Sequence, residues 1–547
     1  MGGEVIRMRR GILATKPLSR TESSVRSIPR IAACLAILTA STDPVKARDN
    51  TNRPTWGFFG ISEEGNPLND MSLVSWSRNT GLYWGKLELP PGSGKYDWDY
   101  IDGLVRKAQN NGYNLIFVLK TGNDPAVTEA ACSRAARKSK REPHLKSCPI
   151  LEKCESAWKR LVGAIIERYD GDGKSDMPGL AKGFTLDIQI ENEAASSNYW
   201  YPSERDGKRA AKALLPALEL AYEAKEAANP ETRIIAPGII QPNKLARCAE
   251  SPRLAECSQA YHARNRDFTE ELLKNPQYFD AVDIHFFNYF HFDPSFVPDG
   301  IDWVREQMRR TGKEKPIYSL EWTGAMMMDI KQDGHGKAFL SYFPFKELRS
   351  ADALKPIYQN LSEPRYEKYR RWFEMEQARE FPKLFTTMLA HGVERMIHVP
   401  FHDYVGQGWN SVWWNWQGIV RYEGTRRRPV VIRKPVFYTY QTLSGKLAGL
   451  SSVEVVGPGK DYIAYKFEFP DRKAVGVAWT ENGERTVDLS NQVKADQVKV
   501  TPLLTELDAN DRPIQPKTET VKTAAVRLTG TPVLIEADEG SKTQGAK

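Results

Sequence analysis

Two stretches of this chain have a strand-like order of apolar residues and end in polar side chains. In Phe184–Ile190 every second residue is apolar, and Glu191-Asn-Glu193 follows. Pro316–Leu320 is a short apolar run, and Glu321 follows it. Because alternation with period two is typical of strands, we expect each stretch to deliver its polar tip to the edge of a sheet.

Strand-like and helical stretches alternate from Trp56 onward, which is typical of parallel α/β architecture. We therefore predict a (β/α)8 TIM barrel followed by a C-terminal antiparallel β-sandwich domain. The eight predicted barrel strands are Trp56–Ile61, Gly81–Leu87, Asn114–Lys120, Phe184–Ile190, Arg233–Gly238, Ala281–Phe287, Pro316–Leu320 and Arg395–Pro400. The predicted helices are Asp99–Asn111, Glu155–Tyr169, Asp206–Ala228, Thr269–Lys274, Trp303–Thr311 and Pro364–His391.

Beyond Tyr440 the pattern changes to short alternating runs separated by Gly, Asp, Asn and Pro, as in an antiparallel sandwich. The runs are Val453–Val456, Tyr462–Phe469, Ala474–Trp479, Thr486–Leu489, Val498–Leu503, Ala525–Leu528 and Val533–Glu536. The predicted division of the chain is a signal peptide with an N-terminal extension at 1–47, the barrel at 48–442, the sandwich at 443–537 and a disordered tail at 538–547.

The N-terminal stretch resembles an export signal. Arg26 and Arg30 flank the apolar run Ile31–Ala40, and Val45-Lys46-Ala47 offers small residues for signal peptidase. Ten apolar residues are too few to span a bilayer, so we expect no stable membrane anchor. The protein is then periplasmic or extracellular; the alternative is a disordered tail without a targeting role.

Charge and composition narrow the range of partners. The 547 residues carry a formal net charge of +8, of which residues 1–47 contribute +5. The remaining charge of about +3 is too small to indicate a nucleic-acid partner. Aromatic residues make up 10% of the chain, including 14 Trp, and such residues suit a sugar-binding cleft as well as a large core.

Cysteine spacing predicts local disulfides in an exported chain. Five cysteines follow residue 47. Cys248 pairs with Cys257, and Cys132 pairs with either Cys148 or Cys154, which leaves one thiol among these five. No cysteine spacing with histidines indicates zinc, and we expect neither a metal nor an organic cofactor.

Two connections exceed the length that a structural link needs, Thr121–Cys154 after the third strand and Gly324–Glu363 after the seventh. Both emerge where predicted barrel strands end, so we expect them to wall the cleft. The first is rich in Lys and Arg, which would attract an acidic polysaccharide or simply form a solvated face. In the second, Met326–Met328 lie either near the sugar site or in the core.

Carboxylates from two strand ends of one parallel barrel would face each other across its mouth. Glu193 and Glu321 therefore form a candidate pair for cleaving a glycosidic bond, which needs one protonated and one ionised carboxyl group. Asn192 would donate a hydrogen bond to the sugar hydroxyl next to the reacting carbon. Glu191 has the same strand parity as Glu193, and we expect it to be a structural partner for a neighbouring donor.

These motifs resemble those of the retaining glycoside hydrolases of clan A, the 4/7 superfamily, and the chain is most similar to family 39 or a neighbouring family. The resemblance implies that Glu193 is the acid/base at the end of strand four and that Glu321 is the nucleophile at the end of strand seven. It rests on Ile190-Glu-Asn-Glu193, Asn198-Tyr-Trp200, Leu320-Glu-Trp-Thr323, Tyr83-Trp-Gly-Lys-Leu-Glu88, Gly94-Lys-Tyr-Asp-Trp98 and Lys434-Pro-Val-Phe-Tyr438.

The resemblance also implies a set of substrate-binding residues. Phe287 stands where many clan members have a tyrosine, so the hydroxyl that contacts the nucleophile would either come from Tyr289 or be absent. The alternatives are that Arg78 only braces the barrel rim and that His285 only packs there. The implied contacts are Asn192, Arg78, His285, Tyr289, Trp84, Trp322 and Trp409, with Trp413, Trp414 and Trp416 as alternatives to Trp409 for the sugar platform.

The function expected from the sequence is that of a retaining O-glycoside hydrolase. It would cleave β-glycosidic bonds of an oligo- or polysaccharide by double displacement. Two alternatives share the same features: a transglycosylase that uses the same carboxylates, and a non-catalytic carbohydrate-binding barrel.

Overall fold

The chain divides into two compact units, residues 1–43 and 44–547, and every described residue belongs to the second unit. The computed structural model describes residues 45–46, 59–62, 74–139, 146–200, 206–251, 257, 260–287, 294–323, 345, 363–403, 417–425, 428–458 and 461–538.

The larger sheet is entirely parallel, which fits strands separated by helices along the chain. Its segments are β1 Phe59–Ser62, β2 Trp76–Tyr83, β3 Asn114–Lys120, β4 Leu186–Ile190, β5 Ile234–Ile235, β6 Ile239–Ile240, β7 Val282–Phe287, β8 Ile317–Thr323 and β9 Val393–His398. Their order is β5-β4-β3-β2-β1-β9-β8-β7-β6. The two end segments follow each other in the chain, and Ile235 also forms a parallel bridge with Ala281, just before β7.

Helices connect these strands and pack their apolar faces into one core with them. In the helix Asp99–Asn111, Ile101, Val105 and Ala108 are buried, and Gly112 ends it with a φ of 72°, as the sequence predicts. The helices are α1 Trp84–Leu87, α2 Asp99–Asn111, α3 Ala130–Arg137, α4 Glu155–Tyr169, α5 Gly207–Ala228, α6 Pro242–Glu250, α7 Ala260–Leu272, α8 Phe296–Arg309, α9 Tyr366–Ala390 and α10 Pro435–Leu447.

The prediction for the second strand, Gly81–Leu87, is wrong. The strand there is β2, and the chain then turns into α1, in which Trp84 and Leu87 are both buried. A spacing of three residues puts them on one face of a helical turn. The predicted fifth strand, Arg233–Gly238, is also wrong in extent, because two short segments, β5 and β6, replace it.

The C-terminal part contains an antiparallel sheet, as predicted. A second, two-stranded sheet shares a cluster of buried apolar residues with it, including Val487, Val498 and Ile535. The hairpin β10 Val420–Thr425 and β11 Arg428–Arg433 precedes it. The C-terminal strands are β12 Ser452–Pro458, β13 Ile463–Glu468, β14 Val475–Trp479, β15 Arg485–Val487, β16 Gln497–Pro502, β17 Glu506–Leu507, β18 Pro513–Ile514, β19 Glu519–Lys522, β20 Val526–Leu528 and β21 Val533–Ala537.

The large antiparallel sheet has the order β12-β13-β14-β21-β16-β19. The segment Val45–Lys46 extends it by pairing with Ser452 and Val453 of β12. The assignment of residues 1–47 to a signal peptide remains a prediction.

Disulfides join the predicted cysteines. Cys132 pairs with Cys148 and Cys248 with Cys257, so Cys154 is the free thiol among the cysteines that the structure describes. The first disulfide closes the Thr121–Cys154 insertion around α3. Most of the second insertion, including Met326–Met328, lies outside the described residues. None of the described helices is long and apolar enough to cross a membrane.

Candidate active site

The predicted catalytic carboxylates lie at the carboxyl ends of strands in the parallel sheet. Glu193 comes three residues after the end of β4. Glu321 lies in β8, two residues before the strand ends. The register of β7 and β8 places His285 beside Glu321. Ligand atoms of Glu193, His285 and Glu321 lie within 4.8 Å of one another. The sheet thus assembles both carboxylates around one imidazole.

Arg78 of β2 fixes the position of the Glu321 side chain. Its Nη1 donates to Glu321 Oε1 at 2.6 Å, and its Nη2 donates to Asn192 Oδ1 at 2.5 Å. Its Nε and Nη2 also donate to Gln189 Oε1, at 3.0 and 2.7 Å. Arg78 is fully buried. Its planar fork therefore joins three side chains that carry or support the candidate chemistry.

His285 of β7 links the two carboxylates. Its Nδ1 lies 2.7 Å from Glu193 Oε1 and 3.5 Å from Glu321 Oε2. Its Nε2 lies 2.8 Å from Asp283 Oδ2. Gly238 makes room for the ring, because a Cβ at that position would lie 2.2 Å from Nε2. His285 is fully buried, whereas the side chains of Glu193 and Glu321 are 12% and 11% exposed. The carboxylates are thus the part of this cluster that faces outward.

Electrostatics separate the two carboxyl groups. Burial is the main cause that raises the pKa of Glu193, and the negative charge of Glu321 adds to it. Burial also acts to raise the pKa of Glu321, but the positive charges of His285 and Arg78 prevail and hold it below its usual range. Burial opposes the charged form of His285, yet Asp283 and Glu321 raise its pKa to about 10. The cluster thus favours a protonated Glu193 beside an ionised Glu321.

The net charge of the buried cluster also favours a protonated Glu193. Arg78 and protonated His285 supply two positive charges, which Glu321 and Asp283 balance. Ionised Glu193 would add a third negative charge to a buried group that has no further cation among these five side chains.

Glu191 takes a different direction from Glu193, although strand parity predicts the same one. Its backbone has a φ of 61°, a left-handed conformation that reorients the chain at the end of β4. Its Oε1 accepts hydrogen bonds from Thr121 N at 2.7 Å and from Thr121 Oγ1 at 3.1 Å. Thr121 Oγ1 also lies 2.7 Å from the carbonyl oxygen of Cys148. Glu191 thus acts as a structural partner that ties β4 to the disulfide-closed insertion.

Two further predicted contacts are core residues. Trp84 is fully buried, packs 5.3 Å from Trp158 and donates its indole N–H to Glu88. Trp322 is buried against Phe381, with ring centroids 4.8 Å apart. Both rings therefore lie in the core. The two other predicted contacts, Tyr289 and Trp409, lie outside the described residues.

Two buried polar residues join the site without having been predicted. Gln189 Nε2 donates to Asp283 Oδ2 at 2.7 Å, and Asp283 Oδ1 accepts from Leu320 N at 2.8 Å. A signal existed in the sequence, since Asp187, Gln189, Asp283 and His285 alternate with apolar residues on their strands. Polar residues at every second position of buried strands indicate a polar interior.

Among the described residues, two groups of acidic or histidine side chains come close enough to share a cation. The first group consists of Glu193, His285 and Glu321, and the guanidinium group of Arg78 forms an ion pair with Glu321. In the second group, Asp170, Asp172 and Asp176, the carboxylates accept backbone N–H groups of their own loop.

No protein-family profile matches the sequence, and no curated protein matches it either. Solved structures do match. A family 39 glycoside hydrolase from the gut symbiont Bacteroides cellulosilyticus WH2 aligns with a TM-score of 0.53 at 13% identity, over 89% of this chain and 81% of that one. A glucosidase from Croceicoccus marinus aligns with a TM-score of 0.49 at 11% identity, over 90% of this chain and 96% of that one. A GH51 arabinofuranosidase from Xanthomonas axonopodis pv. citri gives 0.48 at 9% identity, over 90% and 97%. The likeness to family 39 that the motifs indicate is therefore confirmed for the fold, and this chain folds like a glycoside hydrolase of that family.

Proposed function

We propose that the protein is a retaining glycoside hydrolase that cleaves β-glycosidic bonds of an oligo- or polysaccharide. The observation that carries the proposal is that carboxylate oxygens of Glu193, after β4, and of Glu321, in β8, lie within 4.8 Å of each other. Retaining enzymes hold their carboxyl groups about 5–5.5 Å apart, whereas inverting enzymes need about 6.5–9.5 Å to admit a water molecule. The short separation supports direct attack by one carboxylate.

The proposal includes a closed (β/α)8 barrel. Ile235 supports closure, because it pairs with Gln189 of β4 on one side and bridges Ala281 on the other. In a closed barrel, catalytic groups come from the carboxyl ends of different strands and converge over the mouth. The arrangement of Arg78, His285 and the two glutamates fits that geometry.

In the first step, ionised Glu321 attacks the anomeric carbon and forms a glycosyl–enzyme ester. Glu193 gives its proton to the glycosidic oxygen, and the leaving-group sugar departs as an alcohol. Arg78 and His285 keep Glu321 ionised until the bond forms. As the charge of Glu321 is consumed, the pKa of Glu193 falls, which favours the proton transfer.

In the second step, ionised Glu193 takes a proton from water while the water oxygen attacks the anomeric carbon. The ester bond breaks, and Glu321 leaves as a carboxylate. Asn192 would support both steps. Its Oδ1 accepts from Arg78, and its amide nitrogen carries two hydrogens, one for Glu321 and one for the neighbouring sugar hydroxyl.

We further propose that the protein is exported to the periplasm or beyond the cell. The two disulfides support this proposal, because disulfides persist in oxidising compartments and are rare in reducing ones. Mass spectrometry of the native protein checks it: export predicts a mature N-terminus downstream of Ala40 and both disulfides formed. An intact N-terminus with reduced cysteines would contradict it.

Product stereochemistry tests the reaction. The purified protein is incubated with xylobiose, cellobiose, laminaribiose, gentiobiose and β-1,4-galactobiose, and ¹H NMR records the first anomer that each reaction releases. Retention predicts the β-anomer, and an initial α-anomer would exclude double displacement. Glu321→Ala should lose turnover and regain it with azide as an α-glycosyl azide. Glu193→Ala should keep activity on dinitrophenyl glycosides, whose leaving group needs no proton. Glu152→Ala, an exposed carboxylate, is the control.

A further inference from the structure

Residues 194–200, which directly follow Glu193, form a run of tight turns. The first three of these residues are buried, and Ser196 N donates to the carbonyl oxygen of Glu193 at 2.9 Å. A run of turns lacks the hydrogen-bond ladder of a helix or strand, so donors from other parts of the chain have to hold its carbonyl groups. The position of the backbone beside Glu193 therefore depends on those donors.

Lys146, in the disulfide-closed insertion, is one such donor. Its Nζ donates to the carbonyl oxygens of Ser197 and Asn198, both at 3.0 Å, and the residue is 4% exposed. The next residue, Ser147, donates from its backbone N to the carbonyl oxygen of Tyr199 at 2.7 Å. The disulfide to α3 begins one residue further on, so Lys146 is anchored close to a covalent link.

Arg264 of α7 holds the same segment through two other carbonyl groups. It is 4% exposed, and it donates from Nε to the carbonyl oxygen of Ala195 at 2.8 Å and from Nη2 to that of Trp200 at 3.3 Å. Gly207, at the start of α5, lies so close that an added Cβ would meet the carbonyl oxygen of Arg264 at 2.1 Å. Two buried cations from different parts of the chain thus bond four carbonyl groups within seven residues of Glu193.

Asn192, which precedes Glu193, has separate supports. Its Oδ1 accepts from Arg78 Nη2 at 2.5 Å, and its carbonyl oxygen accepts from Gly238 N at 2.6 Å. Loss of either cation therefore removes bonds of the backbone after Glu193 and leaves these two bonds of Asn192 in place. The expected disturbance is confined to Glu193 and the residues that follow it.

We propose that Lys146 and Arg264 are positioning residues for the acid/base Glu193, an inference that rests on the function proposed above. Hydrogen bonds from a charged donor are stronger than those between neutral groups, so the two cations restrict the backbone beside Glu193. The carboxyl group has to stand within hydrogen-bond reach of the glycosidic oxygen, and a small misplacement lowers the rate. Both residues act through the backbone of residues 194–200.

Lys146→Met and Arg264→Met should separate two kinds of substrate. On the disaccharide that the wild-type protein cleaves fastest among the five named above, each variant should lower kcat/KM about tenfold, because a sugar leaving group needs a proton from Glu193. On the dinitrophenyl glycoside of the same glycone, kcat/KM should change less than about threefold, because that leaving group needs no proton.

The second step gives a readout that a general loosening of the fold does not produce. On the dinitrophenyl glycoside, kcat and KM should fall together, since a misplaced Glu193 takes the proton from water slowly and the glycosyl–enzyme ester accumulates. Azide ion needs no base. It attacks the anomeric carbon, the ester bond to Glu321 breaks, and a β-glycosyl azide is released. Azide should therefore restore kcat of both variants.

Lys225→Met is the matched control for the two variants. Lys225 is as buried as Lys146, but it bonds Asp280, just before the amino end of β7 and away from the carboxylates. Melting temperatures show whether each variant is folded, and Lys146→Gln and Arg264→Gln replace the methionine variants if those do not fold. An equal loss on both substrates, unchanged rates on both, or no rescue by azide overturns the assignment.

Hydrogen–deuterium exchange keeps the inference testable without turnover. The amide groups of Ser196, Tyr199 and Trp200 donate within the run of turns. In both methionine variants they should exchange about fivefold faster than in the wild type, whereas the amides of β4 should not change. Unchanged exchange in residues 194–200 overturns the inference. Faster exchange there, in a protein whose wild type cleaves none of the five disaccharides, contradicts the hydrolase proposal alone.

Discussion

Arg78 and Glu321 form a buried ion pair in which Nη1 lies 2.6 Å from Oε1. A guanidinium group keeps its charge at every pH at which the protein is folded, so it holds Glu321 in the ionised form that nucleophilic attack needs. The same group also bonds Gln189 and Asn192. One arginine thus sets both the charge of the proposed nucleophile and the position of the neighbouring amide.

Arg78→Lys is expected to lower kcat about 10²- to 10³-fold, because lysine keeps the charge but cannot bond Glu321, Asn192 and Gln189 together. Rate measurements on a dinitrophenyl glycoside check this. Arg106→Lys is the control, since Arg106 is an exposed arginine paired with Asp102. Activity within twofold of wild type would mean that Arg78 only braces the sheet.

His285→Gln is expected to move both limbs of the pH profile of kcat/KM upward. The positive charge of His285 lowers the pKa of both Glu193 and Glu321, so its loss raises both. The low-pH limb reports Glu321 and the high-pH limb reports Glu193. A downward shift of either limb, or an unchanged profile with reduced kcat, would contradict the charge that His285 is assigned here.

Trp84→Leu distinguishes a core role from a role in sugar binding. Trp84 is fully buried beside Trp158, so the substitution should destabilise the fold by about 3 kcal/mol, as core truncations do. KM of the folded variant should stay the same. A several-fold rise in KM without a fall in melting temperature would restore Trp84 as a substrate contact.

Local patterns in the sequence predict much of the fold. Asn114–Lys120 and Glu155–Tyr169 have the predicted bounds, because an apolar run and a helical repeat are each complete within their own segment. Gly81–Leu87 misleads because Leu82, Trp84 and Leu87 suit a strand as well as a strand end followed by a helical turn. The choice depends on packing against Trp158, which the local pattern does not contain.

In the candidate site, too, local patterns indicate some residues, whereas contacts between distant parts of the chain determine the others. Glu193 and Glu321 could be located because each follows a strand-like run within a recognisable motif. Asp283 and Gln189 meet across 94 residues, and Arg264 meets Ala195 across 69. Such contacts depend on strand register and helix docking, so a single sequence indicates the polar residues but not their partners.

Burial raises the pKa of Glu191 to about 7, although Thr121 donates hydrogen bonds to its carboxylate. Its value in the unfolded chain is 4.5. Below pH 4.5 the carboxyl is protonated in both states and costs the fold nothing. As the pH rises through 4.5 toward 7, the unfolded chain releases the proton first, so the free energy of unfolding falls by about 3 kcal/mol in total. Above about pH 7 the loss is constant.

Glu191→Gln removes this titration while its amide oxygen still accepts from Thr121. The difference in unfolding free energy between the variant and wild type should therefore grow by about 3 kcal/mol in favour of the variant between pH 4.5 and pH 8. Urea unfolding at closely spaced pH values measures it, with Glu152→Gln, an exposed glutamate, as the control. Parallel pH curves for wild type and Glu191→Gln would mean that Glu191 is ionised in the folded protein at its ordinary pKa, and that the backbone and hydroxyl of Thr121 fully offset the cost of its burial.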